Sequence, residues 1–128
     1  MRTAPRATGR RTGAQRAGEA AEESAARFLA HRGLDILARN FRTRWGEIDL
    51  VAKDGATLVF VEVRLRSSAR FGGAAASVDA RKRRRIEAAA RLYLARLGAE
   101  PPCRFDVITL GSEGDEVCAW LRGAFASA

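Results

Sequence analysis

The chain has 128 residues, is 47% hydrophobic and carries a formal net charge of +8 at pH 7. That length fits one domain with one modest core, and the hydrophobic fraction excludes a wholly disordered chain. No apolar run approaches the ~20 residues of a membrane span, and Cys103 and Cys118, far apart and without neighbouring ligands, exclude a disulfide framework or a zinc site.

The charge predicts a polyanionic partner, with nucleic acid favoured over an anionic membrane surface. All but Lys53 and Lys82 of the 23 basic residues are arginine, which suits planar contacts to phosphates and bases. The reduced thiols and the lack of a hydrophobic leader segment predict the cytoplasm.

Residues 1–12 hold Arg2, Arg6, Arg10 and Arg11 with no acid, and are expected to form a disordered basic tail. Residues 13–128 are expected to form one domain. Ala21, Ala25, Phe28 and Leu29 recur at helical spacing over residues 14–32, and Gly33 supplies the stop. Strands follow at Leu34–Arg42, Gly46–Ala52 and Leu58–Arg66, the last two joined by a hairpin turn at Asp54-Gly55. A small-residue loop over 67–77 leads to a helix at Val78–Leu97, with Ser77 or Asp79 as N-cap and Gly98 as stop. After Pro101-Pro102, a strand is expected at Arg104–Leu110, a turn at Gly111–Asp115 and a short last strand at Val117–Leu121. The α-β-β-β-α-β order predicts an α/β fold with a mixed sheet flanked by helices.

Alternation puts Glu47 and Asp49 on one face of their strand, and Phe60, Glu62 and Arg64 on one face of the next. A turn at Asp54-Gly55 sets Glu47 opposite Glu62, with Asp49 diagonal and the carboxylates about 5–8 Å apart. Facing like charges repel, so a partner should offset them. A divalent cation would do so, and so would Arg64 or Arg66 as an ordinary ion pair. Arg81, Lys82, Arg83, Arg84 and Arg85 wrap more than one helical turn and read as a phosphate-tracking patch, against the alternative of a solvated face. Asp106 beside Arg104 reads as a structural ion pair, and His31 as a helix-terminus residue. Trp45 and Phe71 could stack on bases or pack at a rim.

Gly46-Glu47-Ile48-Asp49-Leu50-Val51-Ala52, followed by Leu58-Val59-Phe60-Val61-Glu62-Val63-Arg64, resembles the uncharacterised bacterial YraN-like family. The resemblance runs over roughly residues 18–126 and includes Ala21-Glu22, Arg39-Asn40, Phe71-Gly72, Lys82, Arg104-Phe105-Asp106-Val107 and Ala124-Phe125. It implies a restriction-endonuclease-like fold, similar to that of Holliday-junction resolvases, with a PD-(D/E)XK-type site. By that resemblance Asp49, Glu62 and Glu22 are the metal-binding acids, for Mg²⁺ or Mn²⁺. The motif expects lysine where this chain has Arg64, and arginine hardly ever gives up a proton. Lys82 is a candidate substitute, because it lies four residues before Ile86 and points inward; a snorkelling lysine is the alternative.

The function expected is DNA binding with metal-dependent phosphodiesterase activity, Asp49, Glu62, Arg64 and Lys82 being catalytic. Arg81, Arg83, Arg84 and Arg85 are expected to hold the nucleic acid, and a second copy of the chain is a candidate partner. The competing reading is a catalytically silent binding or scaffold protein that keeps the fold. A third is a protein-interaction module built on Ala124-Phe125.

Overall fold

In a computed structural model, residues 12–65, 78–111, 114 and 116–126 are described. The expected tail, apart from Thr12, and the expected loop over 67–77 with Phe71 lie outside them. The element order is α1 (Gly13–His31), β1 (Asp35–Arg42), β2 (Glu47–Asp54), β3 (Thr57–Leu65), α2 (Ala80–Leu97), β4 (Cys103–Leu110) and β5 (Val117–Phe125).

Thr12 caps α1 through a capping box with Gln15, and Asp79 caps α2 by accepting from the Lys82 amide. Both helices end at glycines with positive φ, Gly33 and Gly98. The five strands form one sheet in sequence order. Every neighbouring pair is antiparallel except β3 and β4, which run parallel and are joined through α2.

Two hydrophobic layers cover the sheet. Ala21, Ala25, Ala26 and Leu29 of α1 pack with Leu50, Ala52, Val59, Val61, Ile108 and Leu110. Ile86, Ala89 and Ala90 of α2 pack with Ile48, Val51, Phe60, Phe105 and Val107. Burying each large apolar side chain of this kind contributes about 1.5–3 kcal/mol.

Three expectations change. The hairpin pairs Asp54 with Thr57, so its loop residues are Gly55 and Ala56, not Asp54 and Gly55. Gly55 has φ 62° and takes the first loop position, which a type II′ turn reserves for glycine. The register therefore slides by two residues, and Glu47 does not face Glu62. The last strand runs on to Phe125, through Gly123 at φ 58°. Phe125 stacks on Phe105 at 4.9 Å between centroids, so the C-terminal aromatic is used within the fold rather than as a free docking residue.

Asp106 is fully buried and its charge is well served. Arg104 Nε donates to it at 3.0 Å, Trp120 Nε1 at 2.9 Å and the Gly123 amide at 2.9 Å. Arg104 also reaches Asp54 at 2.9 Å, tying β4 to the β2–β3 hairpin. The expected ion pair is thus part of a larger structural network.

Candidate active site

The β2–β3 ladder is paired as far as Leu50 and Val61, yet both strands continue beyond it. At the next position the Val63 amide, which would otherwise lack a partner, donates to Asp49 Oδ2 at 2.8 Å. Asp49 and Glu62 would be the next pair in register, so they line the point where the strands part. The alternation of faces also slips here. Ile48 packs in the α2 layer and Leu50, two residues on, in the α1 layer. In β1 the residue abreast of Asp49 is Asn40, with φ 52°, the only non-glycine residue at positive φ among those described. Asparagine tolerates that conformation better than most side chains. The slip falls at Asp49, whose side chain takes the Val63 amide.

The acidic centre is a close pair. Glu62 is 4% exposed and Asp49 is half-buried. Burial first, then the charge of Asp49, pushes the Glu62 carboxyl up to about 7. Burial also raises Asp49, against the Val63 amide and a hydrogen bond from Glu62, which lower it. Both carboxyls are thus held above the ordinary range by burial, so the pair favours holding a proton over carrying two full charges. Glu22 of α1 stands beside them. Burial and the charge of Asp49 raise it, while a hydrogen bond with Asn40 lowers it. Among the described residues no three Asp, Glu, His or Cys side chains close into one ligand group.

Two cations meet the same carboxylate oxygen. Arg64 lies 3.4 Å and Lys82 Nζ 3.6 Å from Glu62 Oε2. Lys82 comes from the first turn of α2, on the stripe that carries Ile86 inward, so the helix delivers it to the end of β3. Next to this pair an open cleft of about 280 Å³ is lined by Arg64, Asp79, Arg81, Lys82 and Arg85. On the other side of Arg64 a smaller cleft of about 160 Å³ is lined by Glu22, Gly18, Ala21, Val63 and Leu65. The acidic pair thus borders a cationic groove.

The other candidates are dispersed around this centre. Glu47 pairs with Arg42 at 3.3 Å and is half-exposed, although its charge still raises Asp49 and Glu22. Arg83 turns away from the cleft: its Nε donates to the Val78 carbonyl at 3.0 Å and its guanidinium lies 5.2 Å from the Phe125 ring. Arg84 is exposed on the helix surface. Sequence reasoning missed Asn40 as a shaping residue, for which Asn within a strand was the available signal. It also missed Gly46, where a Cβ would overlap the Arg85 carbonyl oxygen. Glycine there lets the start of β2 press directly on the α2 backbone.

A family model described as "Uncharacterised protein family UPF0102" matches residues 21–110. A UPF0102 protein of Janthinobacterium sp. (strain Marseille) is 51% identical over 114 residues, covering 89% of this chain and 90% of that protein. One from Symbiobacterium thermophilum is 52% identical, covering 87% of this chain and 97% of its own length. One from Ralstonia nicotianae is 55% identical, covering 88% of each.

Proposed function

We propose that this chain, which belongs to the uncharacterised protein family UPF0102, binds DNA and hydrolyses its phosphodiester bonds with a divalent cation, Mg²⁺ or Mn²⁺, as cofactor. The observation that carries the reading is the pairing of half-buried Asp49 with buried Glu62 at the parting of two strands, bordering a cleft of four cationic side chains. Carboxyls close enough to share a proton offer the same oxygens to a cation once the proton leaves. Mg²⁺ takes one or two carboxylates and completes its shell with water and phosphate, so a pair suffices. Asp49 and Glu62 would hold it, with Glu22 adding charge from α1. When bound, the cation lowers the pKa of water toward neutrality and offsets charge on phosphate.

The rest falls to the chain. The Val63 amide fixes the Asp49 carboxylate. Glu62 must shed its proton, which Lys82 and Arg64 assist by favouring the charged form. Lys82 and Arg64 then present positive charge to the phosphate, and Arg81 and Arg85 hold the strand along the cleft. Among the described residues no helix is long and apolar enough to cross a membrane, and Cys103 and Cys118 are free thiols; both suit a cytoplasmic nucleic-acid enzyme.

The test is cleavage of branched and linear DNA in Mg²⁺ or Mn²⁺. Wild type should cut and Asp49→Ala should not; equal products from both would end the reading. Binding supplies a separate check. Affinity should fall with salt by a log–log slope of about −0.9 per phosphate contact on duplex DNA. Arg81→Ala, Arg84→Ala and Arg85→Ala together should weaken binding across sequences and flatten that slope. An unchanged slope removes the patch from the interface.

Arg64, standing where the motif has lysine, favours a second reading, a silent binder that keeps the fold. That reading requires DNA to be bound in Mg²⁺ and never cut.

A further inference from the structure

We infer that Trp45 is a stacking platform for an unpaired nucleobase, mounted at the mouth of the cationic cleft. The inference rests on the nucleic-acid reading above and adds to it the kind of strand that the protein selects.

Trp45 is 57% exposed, the most open large hydrophobic side chain in the described structure. One exposed indole is ordinary; a rigid mount for it is less so. The Thr43 Oγ1 hydroxyl accepts from the Trp45 amide at 3.0 Å and from the Gly46 amide at 3.0 Å, and donates to the Gly46 carbonyl at 2.8 Å. The Thr43 amide donates to that same carbonyl at 2.8 Å, so the turn is closed from both sides. Gly46 then abuts the Arg85 carbonyl so closely that no side chain fits between them. The turn is therefore clamped to the helix whose Arg81, Lys82 and Arg85 line the cleft.

Gly46 meets Arg85, a residue that lines the cleft, so the turn before β2 lies beside it. The Arg44 guanidinium lies 4.9 Å from the Trp45 ring centroid, which orients the ring and places a cation for the phosphate of a stacked nucleotide. Bases inside a duplex already stack on both faces. Only an unpaired or terminal base can transfer onto an indole, and such stacking tolerates any base. The ligand class is thus a strand with unpaired nucleotides, such as a tail, bulge or branch, entering the cleft backbone first.

Binding is measured in EDTA, so that no cleavage intervenes. The probes are a blunt DNA duplex and the same duplex with a single-stranded oligothymidine tail; a further arm carries an oligouridine tail to separate deoxyribose from ribose. Wild type should prefer the tailed duplexes. Trp45→Ala should lose roughly 10-fold or more on them and little on the blunt duplex, while Trp45→Phe keeps most of the preference. Tail binding should quench indole emission in wild type and much less in Trp45→Phe. Equal affinity of Trp45→Ala and wild type for the tailed probe overturns the stacking role and leaves the DNA-binding reading standing. Failure of wild type to bind any probe overturns both. Because the Trp45 side chain is exposed, its removal should leave the far-ultraviolet circular dichroism unchanged.

Discussion

Lys82→Ala should lower Mg²⁺-supported DNA cleavage by about 10²–10³-fold, the usual cost of removing a positioned charge that meets the transition state. Asp49→Ala should lower it to background. Arg64→Lys should change it little. The reasoning is geometric. The position two after Glu62, which the motif gives to lysine, is filled by arginine, yet a lysine from α2 brings its Nζ to 3.6 Å from the same Glu62 oxygen that Arg64 meets at 3.4 Å. Two cations on one oxygen are redundant for holding Glu62 but not for handling a phosphate. Lysine is a compact charge that reorients freely, whereas arginine is a broad planar fork. Lys82→Arg should restore charge without full rate. A structural role alone predicts that loss of rate follows loss of folding, so Lys82→Ala is also measured for thermal midpoint, which should stay near wild type, and for DNA affinity in EDTA, which should fall far less than the rate. If Arg64→Lys instead accelerates cleavage and Lys82→Ala is silent, the lysine role belongs to the strand position and this chain is a weakened nuclease.

Much of this arrangement was legible in the chain, because it depends on periodicity. Ala21, Ala25 and Leu29 recur every fourth residue and form the buried face of α1. Lys82, four residues before Ile86, was legible as inward-pointing for the same reason. The slide of two residues sets Asp49 level with Glu62, although the faces slip between Ile48 and Leu50, which a regular alternation does not anticipate. A slide of one would have separated them. What was lost was the identity of the partner. Glu47 was expected across from Glu62, but it lies further along and pairs with Arg42.

The remainder depended on backbone conformations that composition does not specify. An Asp-Gly sequence suits more than one tight turn, and here glycine takes the first loop position rather than the second. The slip of faces at Asp49 lies beside Asn40 in the left-handed region, and no alternation of polar and apolar residues announces either. Gly123 weakens the strand pattern after Leu121, so the last strand read as shorter than it is, and Phe125 then read as surface rather than as a partner of Phe105. Five consecutive cations read as one patch, but a helix distributes them around its circumference. Arg81, Lys82 and Arg85 line the cleft while Arg83 packs toward Phe125.

The acidic pair also makes stability depend on pH in a direction opposite to that of an ordinary salt-bridged acid. The Glu62 carboxyl is held at about 7, against an ordinary value of 4.5, chiefly by burial and then by Asp49. Between those values the folded chain holds a proton that the unfolded chain has lost. Stability should therefore be greatest below about pH 4.5 for this group and should decline as pH rises through about 7, by about 3 kcal/mol. Asp49 is raised as well and adds in the same direction. Glu62→Gln cannot ionise and its amide can still donate to Asp49, so it should flatten the decline and be the more stable protein at pH 8 in EDTA. Mg²⁺ should act on the wild type in the complementary range, raising its thermal midpoint at pH 8, where the oxygens are free, and not at pH 5, where a proton occupies them. The same addition should do little for Glu62→Gln. Thermal or urea unfolding across pH 4.5–8, with and without Mg²⁺, reads all of these differences. A wild-type profile parallel to that of Glu62→Gln would show that Glu62 is already ionised in the fold, and the proton-sharing pair would have to be abandoned.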